Sequence, residues 1–251
     1  MKKKYFIYSV SALLLAGVVT GCKKFLDVNQ NLNNPTPESV GLPLVLSAAE
    51  RNISQNLALG SGLGNTMAVY THQQTGRVGA DRYGAGSSGW EGLYSALSNL
   101  NVIIKRAPLE NRFVYAGIAK ILKAYTVSMM VDVWGDIPYS EYDKFAEGIA
   151  QPKFDKGSEI YPKLIALIDE GIADINNPAF NTSKPGTDDY IYKGNTANWI
   201  KAANTIKLKM YTQVRLVQDV KAQVTALLAA PATLINSQAE SFMMPYGVIL
   251  T

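Results

Sequence analysis

Cysteine and histidine are nearly missing from this 251-residue chain, which has one of each, Cys22 and His72. A lone cysteine excludes a disulfide framework, and no cysteine–histidine cluster has the spacing of a zinc site. His72 sits in a Thr-His-Gln-Gln run near an expected helix end, without the partners a triad or metal centre needs, so it reads as a structural residue. Long uncharged apolar runs are lacking too. The stretch 5–19 has fifteen residues, short of the roughly 20 that span a bilayer. The apolar stretch 113–133 carries Lys120, Lys123 and Asp132, which rule against a span. Gly79, Gly84, Gly86 and Gly89 suggest a phosphate cradle, yet no G-x-x-x-x-G-K-[ST] and no preceding strand support one.

The most informative segment is the start. Lys2, Lys3 and Lys4 precede the apolar stretch, and Val-Thr-Gly-Cys follows at 19–22. A basic head, a short hydrophobic region and small residues before a cut make an export signal. A cysteine at that cut reads as a lipobox, so Cys22 is the expected lipidation site and mature N-terminus; an ordinary signal peptide with a stray cysteine is the alternative. Acyl chains add about 0.8 kcal/mol per buried methylene, and two or more hold a protein at a membrane. Loss of residues 1–21 leaves 21 Lys and Arg against 20 Asp and Glu. The basic isoelectric point therefore gives no reason to expect a nucleic-acid partner.

Residues 22–37, with five Asn and Gln and two Pro, read as lipidated cysteine plus tether. From 38 to 251 the chain reads as helices. A 3.6-residue period marks 90–104 (Trp90, Leu93, Tyr94, Leu97, Asn101, Ile104) and 158–175, with Pro162 in its first turn. It also marks 196–217 (Trp199, Ala203, Ile206, Met210, Val214). The 113–133 segment is apolar almost all round, as a buried helix should be. Shorter helices are expected at 43–58, 63–74 and 218–230. The fold class is all-α: an irregular stack of antiparallel helix pairs, without a fixed repeat.

Long polar connections at 75–89, 138–157 and 176–195 carry aromatics: Tyr83; Tyr139, Tyr142, Phe145 and Phe154; Phe180, Tyr190 and Tyr192. Such rings either stack on sugars or fill gaps where loops fold back. The VWGDIPY run at 133–139 reads as a rigid helix stop, with Gly135 past the helix end, Asp136 in a turn and Ile137 extended before Pro138. Asp132 and Asp136 as a glycosidase pair is the sharper alternative.

Five motifs in order resemble the SusD/RagB family. They are the lipobox followed by KKFLDVN, W-x-x-L-Y-x-x-L-x-x-x-N (90–101), G-x-A-K-x-L-K-A-Y (117–125) running into WGDIPY, P-K-F-D (152–155), and DYIYKGNTANWIKAAN (189–204). The resemblance implies a tetratricopeptide-like helical lipoprotein of Bacteroidetes-type outer membranes that is not an enzyme. It implies a SusC-like TonB-dependent transporter as partner and capture of oligosaccharides, or peptides, for import. No cofactor is implied, though calcium on a loop such as Asp188-Asp189 stays open. Lys209 stands where the family often has arginine, and Lys23-Lys24 replace an acidic run that often directs such lipoproteins outward. Family members are about twice as long, so the sequence reads as an amino-terminal part.

In relatives the loop before the W-x-x-L-Y helix lies near the ligand, which makes Arg77, Asp81, Arg82 and Tyr83 candidate binding residues. The reading against them is a solvated charge cluster. Trp90 joins them as a candidate, against a core role suggested by Leu93, Tyr94 and Leu97 at helical spacing. Two other functions stay open at this point, a lipid-anchored helical adaptor for protein partners and a lipoprotein glycoside hydrolase.

Overall fold

The helical periods become seven α-helices among the described residues of the computed structural model. These are α1 (Leu42–Leu57), α2 (Leu63–Tyr70), α3 (Trp90–Arg106), α4 (Phe113–Trp134), α5 (Gly157–Ile175), α6 (Thr196–Val214) and α7 (Lys221–Leu228). The structure describes residues 39–57, 62–71, 73, 89–179 and 181–245. Cys22 with its tether, His72, Phe180 and the 74–88 loop lie outside them. No strand occurs among the described residues; one isolated bridge joins Ile137 to Asp155.

Several helix ends follow from local chemistry. Asn195 caps α6, its side chain accepting the N–H of Asn198 at 3.2 Å. Asp219 accepts the N–H of Lys221 at 3.1 Å and starts α7 three residues later than the apolar pattern suggests. Pro162 falls in the second turn of α5, not the first, because the helix begins at Gly157. Gly135 ends α4 at φ 74° and ψ −114°, where a side chain is disfavoured, and its N–H returns to Val131 O at 2.8 Å.

Contacts fix the antiparallel sense of the pairs. Gly117, early in α4, meets Gly171, late in α5, while Asp132 near the end of α4 accepts a hydrogen bond from Tyr161 at the start of α5. A Cβ on Gly117 would lie 2.5 Å from Gly171 O, so this crossing depends on the missing side chain. Lys120 bridges the same pair, 3.0 Å from both Glu170 and Asp174. In the second pair, the end of α1 meets the start of α3 at Asn56 and Gly92, and Arg106 at the end of α3 donates to Val40 O ahead of α1 at 2.8 Å.

α4 is the centre of the stack. It is the one described helix long and apolar enough to cross a membrane, yet most of it is buried inside the protein. Lys123 is half-buried there and donates to Asn101 of α3 at 2.7 Å, whereas Asp132 receives Lys209 of α6 at 3.1 Å.

The DYIYKGN segment is tied down by one carboxylate. Asp189 is fully buried and accepts the N–H groups of Ile191 (3.0 Å), Tyr192 (3.0 Å) and Gly194 (2.8 Å), and the indole of Trp199 (2.7 Å). Asp188 accepts Gly186 N and the Tyr115 hydroxyl, each at 2.8 Å. Oxygens so committed to N–H and O–H donors make this pair a loop clamp, not the donor set of a calcium ion. Trp199 itself is fully buried, edge-on to Tyr192 at 5.2 Å.

Candidate functional site

Helix α3 turns two stripes toward one groove. Trp90 and Tyr94, four residues apart, form an aromatic stripe; Glu91, Ser95 and Ser98 form an exposed polar stripe beside it. The opposite wall is Pro138, Tyr142 and Pro152 of the loop after α4, and together they line an open groove of about 460 Å³. That falls within the size range of small-molecule sites.

The rings are packed against one another. Trp90 lies 5.1 Å from Tyr94 and 4.9 Å from Trp134, the latter edge-on at 81°. Tyr142 lies 5.5 Å from Tyr94, tilted by 57°. The Tyr94 hydroxyl donates to Pro138 O at 2.7 Å and so joins helix wall to loop wall. Burial, and then the charge of Asp155, push the Tyr94 hydroxyl above its ordinary range, which keeps it a donor.

Asp155 shapes the loop wall. Its backbone pairs with Ile137 in both directions, at 3.2 and 2.9 Å. Its carboxylate accepts Tyr139 N (3.0 Å), Ser140 N (2.7 Å) and the Ser140 hydroxyl (2.9 Å). Burial opposes its ionisation, but the hydrogen bonds from Ser140 and Tyr139 outweigh that and hold the carboxyl below its usual range. Behind the groove, the Lys123 ammonium lies 5.5 Å from the Tyr142 ring and 5.7 Å from the Tyr139 ring. Burial lowers the Lys123 pKa, with the Asp143 charge working against that and Lys105 with it. Asp143 in turn accepts Asn101 at 2.8 Å and Lys105 at 3.2 Å.

Arg77, Asp81, Arg82 and Tyr83 lie outside the described residues. Trp90 is half-buried, packs on Trp134 at the edge of the core and lines the groove. Of the loop aromatics, Tyr139 and Tyr142 pack against the core and Tyr192 is buried, whereas Phe145 (77% exposed) and Phe154 (64%) face out. Glu91, Ser95 and Ser98 carry a signal in the sequence, polar residues at i, i+4 and i+7 alongside the aromatics at i−1 and i+3.

The glycosidase pair does not assemble. Asp132 is held by Tyr161 and Lys209 and ties α4 to α5 and α6, while Asp136 accepts the Gly157 N–H at 2.9 Å at the start of α5. No group of three metal-ligating side chains occurs among the described residues.

The profile of a SusD-like family described as "Starch-binding associating with outer membrane" matches residues 31–249. No curated protein matches the chain. Among solved structures, a SusD/RagB family protein of Bacteroides thetaiotaomicron superposes with TM-score 0.70 at 22% identity, over 80% of this chain and 44% of that one. A SusD homologue of Parabacteroides distasonis gives TM-score 0.66 at 20% identity, over 80% and 41%. A chitin-binding SusD homologue of Flavobacterium johnsoniae gives 0.61 at 19%, over 78% and 45%. This chain therefore spans less than half the length of these solved relatives. Across the portion it spans, the helices and their order are those of the family, a family of binding proteins and not of enzymes. With the profile covering most of its length, the chain belongs to the SusD/RagB family of outer-membrane, nutrient-binding proteins.

Proposed function

We propose that the protein is an outer-membrane lipoprotein, anchored through Cys22, that captures an oligosaccharide and hands it to a SusC-like TonB-dependent transporter. The observation that carries the capture reading is the groove on α3, where Trp90 and Tyr94 stand beside Glu91, Ser95 and Ser98. Aromatic faces attract the C–H faces of sugar rings, and adjacent hydroxyls and carboxylates bond sugar hydroxyls. The family description and the chitin-binding relative support a glycan as the ligand class. In this reading Arg77, Asp81, Arg82 and Tyr83, which precede Gly89 and Trp90 in the sequence, also contact the ligand.

Delivery is tested by tagging the chain, extracting outer membranes in mild detergent and identifying what co-purifies in equimolar amount. A large β-barrel transporter supports the reading, and protease added to whole cells should cut the tagged chain. An intact, lipidated protein that co-purifies with no barrel and resists outside protease contradicts it.

A further inference from the structure

A second pocket, of about 370 Å³, opens between α1, α4 and the 242–244 segment and shares no lining residue with the α3 groove. Its walls are apolar. Ile53 and Leu122 line it beside Met243, Met244 and the rings of Tyr125 and Phe242, which meet edge-on at 5.1 Å. Unbranched thioether chains adjust to the shape of what they cover. One lining residue is out of keeping with these walls. Glu50 is 1% exposed; one carboxyl oxygen accepts the Tyr190 N–H at 2.7 Å, and the other meets no N–H or ordinary O–H donor among the described residues. The charges that act on it most strongly are both negative, Asp189 in contact and Asp188 beyond. Those two carboxylates are engaged by their loop N–H groups, by the Trp199 indole and by the Tyr115 hydroxyl.

Two buried carboxyl groups in contact hold together only through a proton or a cation. The walls decide which cation fits. A bare metal ion needs about six oxygen ligands, which walls of this kind do not supply. An ammonium group on an apolar body suits both parts of the pocket. Its N–H donors bond the open Glu50 oxygen, its body buries against the aliphatic wall, and the two rings attract its charge. We infer that this pocket is a binding site for a primary amine carried on an apolar body, with Glu50 as the residue that receives the ammonium group. The positive charge then replaces the proton that Glu50 and Asp189 share in the free protein, and that proton passes to solvent. Binding therefore strengthens as pH rises, by at most about tenfold per unit, over the range below about 9 in which free Glu50 keeps its proton. The other titratable groups in this corner are the hydroxyls of Tyr115, Tyr125 and Tyr192. Burial pushes all three above their ordinary range, so they stay protonated throughout. Arg112, the cation beside Tyr115, lies 3.5 Å from Glu110.

The test titrates the whole chain by calorimetry with hexylamine, which stays charged well above pH 8, and with hexan-1-ol as its uncharged counterpart. A third probe, Nα-acetyl-lysine methylamide, presents the same ammonium group as a polypeptide side chain. At pH 8 hexylamine should bind about tenfold or more tightly than hexan-1-ol and release about one proton per molecule bound. Its affinity should fall about tenfold or more on going to pH 6.5. Glu50→Gln should abolish both the preference for the amine and its pH dependence, with hexan-1-ol binding kept within about twofold. Capped lysine binding at least as tightly as hexylamine supports the site with a peptide or protein side chain as its ligand; weaker binding supports it with a free amine. Equal affinity for hexylamine and hexan-1-ol, no binding of hexylamine, an affinity independent of pH, or a preference untouched by Glu50→Gln overturns the inference.

Discussion

Glu50 on α1 is 1% exposed, and one of its oxygens accepts the Tyr190 N–H at 2.7 Å. Among the described residues its other oxygen has no N–H or ordinary O–H donor in reach, because its neighbour is the Asp189 carboxylate. Two buried carboxyl groups in contact are compatible only if a proton lies between them. Burial, followed by the charge of Asp189, accordingly pushes Glu50 up to about 9, with the Tyr190 bond opposing. In the unfolded chain the same group titrates near its ordinary 4.5. The contribution of this proton to stability is complete below 4.5 and drains away as pH rises toward 9. The slope is about 1.4 kcal/mol per pH unit. At pH 7.5 the ceiling is about 4 kcal/mol, and relaxation around the pair brings the expected loss to about 2 kcal/mol. Glu50→Gln keeps the shape, accepts from Tyr190 and donates an N–H toward Asp189 without needing a proton. Urea unfolding, followed by emission of the buried Trp199, should find the variant equal to wild type within about 0.5 kcal/mol at pH 4.5 and more stable by about 2 kcal/mol at pH 7.5. A variant less stable than wild type at pH 7.5, or a difference independent of pH, would refute the shared proton.

Three further outcomes follow from the packing. Gly117→Ala places a methyl 2.5 Å from Gly171 O and 2.7 Å from the Ile175 side chain, and should cost about 1–3 kcal/mol in urea unfolding. Asp155→Ala strands three donors of the loop wall and should cost about 2–3 kcal/mol, with Asp155→Asn losing less. Because the Asp155 carboxyl is held below its usual range, its contribution is present above the ordinary Asp value and fades as pH falls through the lowered one. A stability profile of the alanine variant that matches wild type in shape at acid pH would contradict that. Trp199→Phe keeps the buried ring but removes the 2.7 Å bond to Asp189, and about 1–2 kcal/mol should go with it in the same assay.

The sequence made the helices legible because most bury one face and so repeat every 3.6 residues. Trp199, Ala203, Ile206 and Met210 are buried on α6 as their spacing required. Helix α2 stops at Tyr70, short of the expected 74, and α6 at Val214, short of 217. Apolar content alone cannot see such ends; Leu216 and Val217 are hydrophobic, yet 85% and 81% exposed. The roles of Asp155 and Asp189 were invisible for another reason. Most of their donors are backbone N–H groups brought close by turns, and no residue pattern encodes those. The groove was half legible. The sequence points to Trp90, but the helical spacing of Tyr94 marks it only as core, and the partnership of α3 with Pro138 and Tyr142 arises from a loop that returns across 44 residues to meet Tyr94.

The most direct test of the central claim is the affinity of the purified chain for neutral oligosaccharides, measured by isothermal titration against wild type and Trp90→Ala. The capture account predicts saturable binding without turnover in wild type. It predicts binding weakened about tenfold or more in the variant, which loses a stacking face, with helical content unchanged by circular dichroism. Equal affinity in the two proteins, or no neutral oligosaccharide bound by wild type, would contradict it.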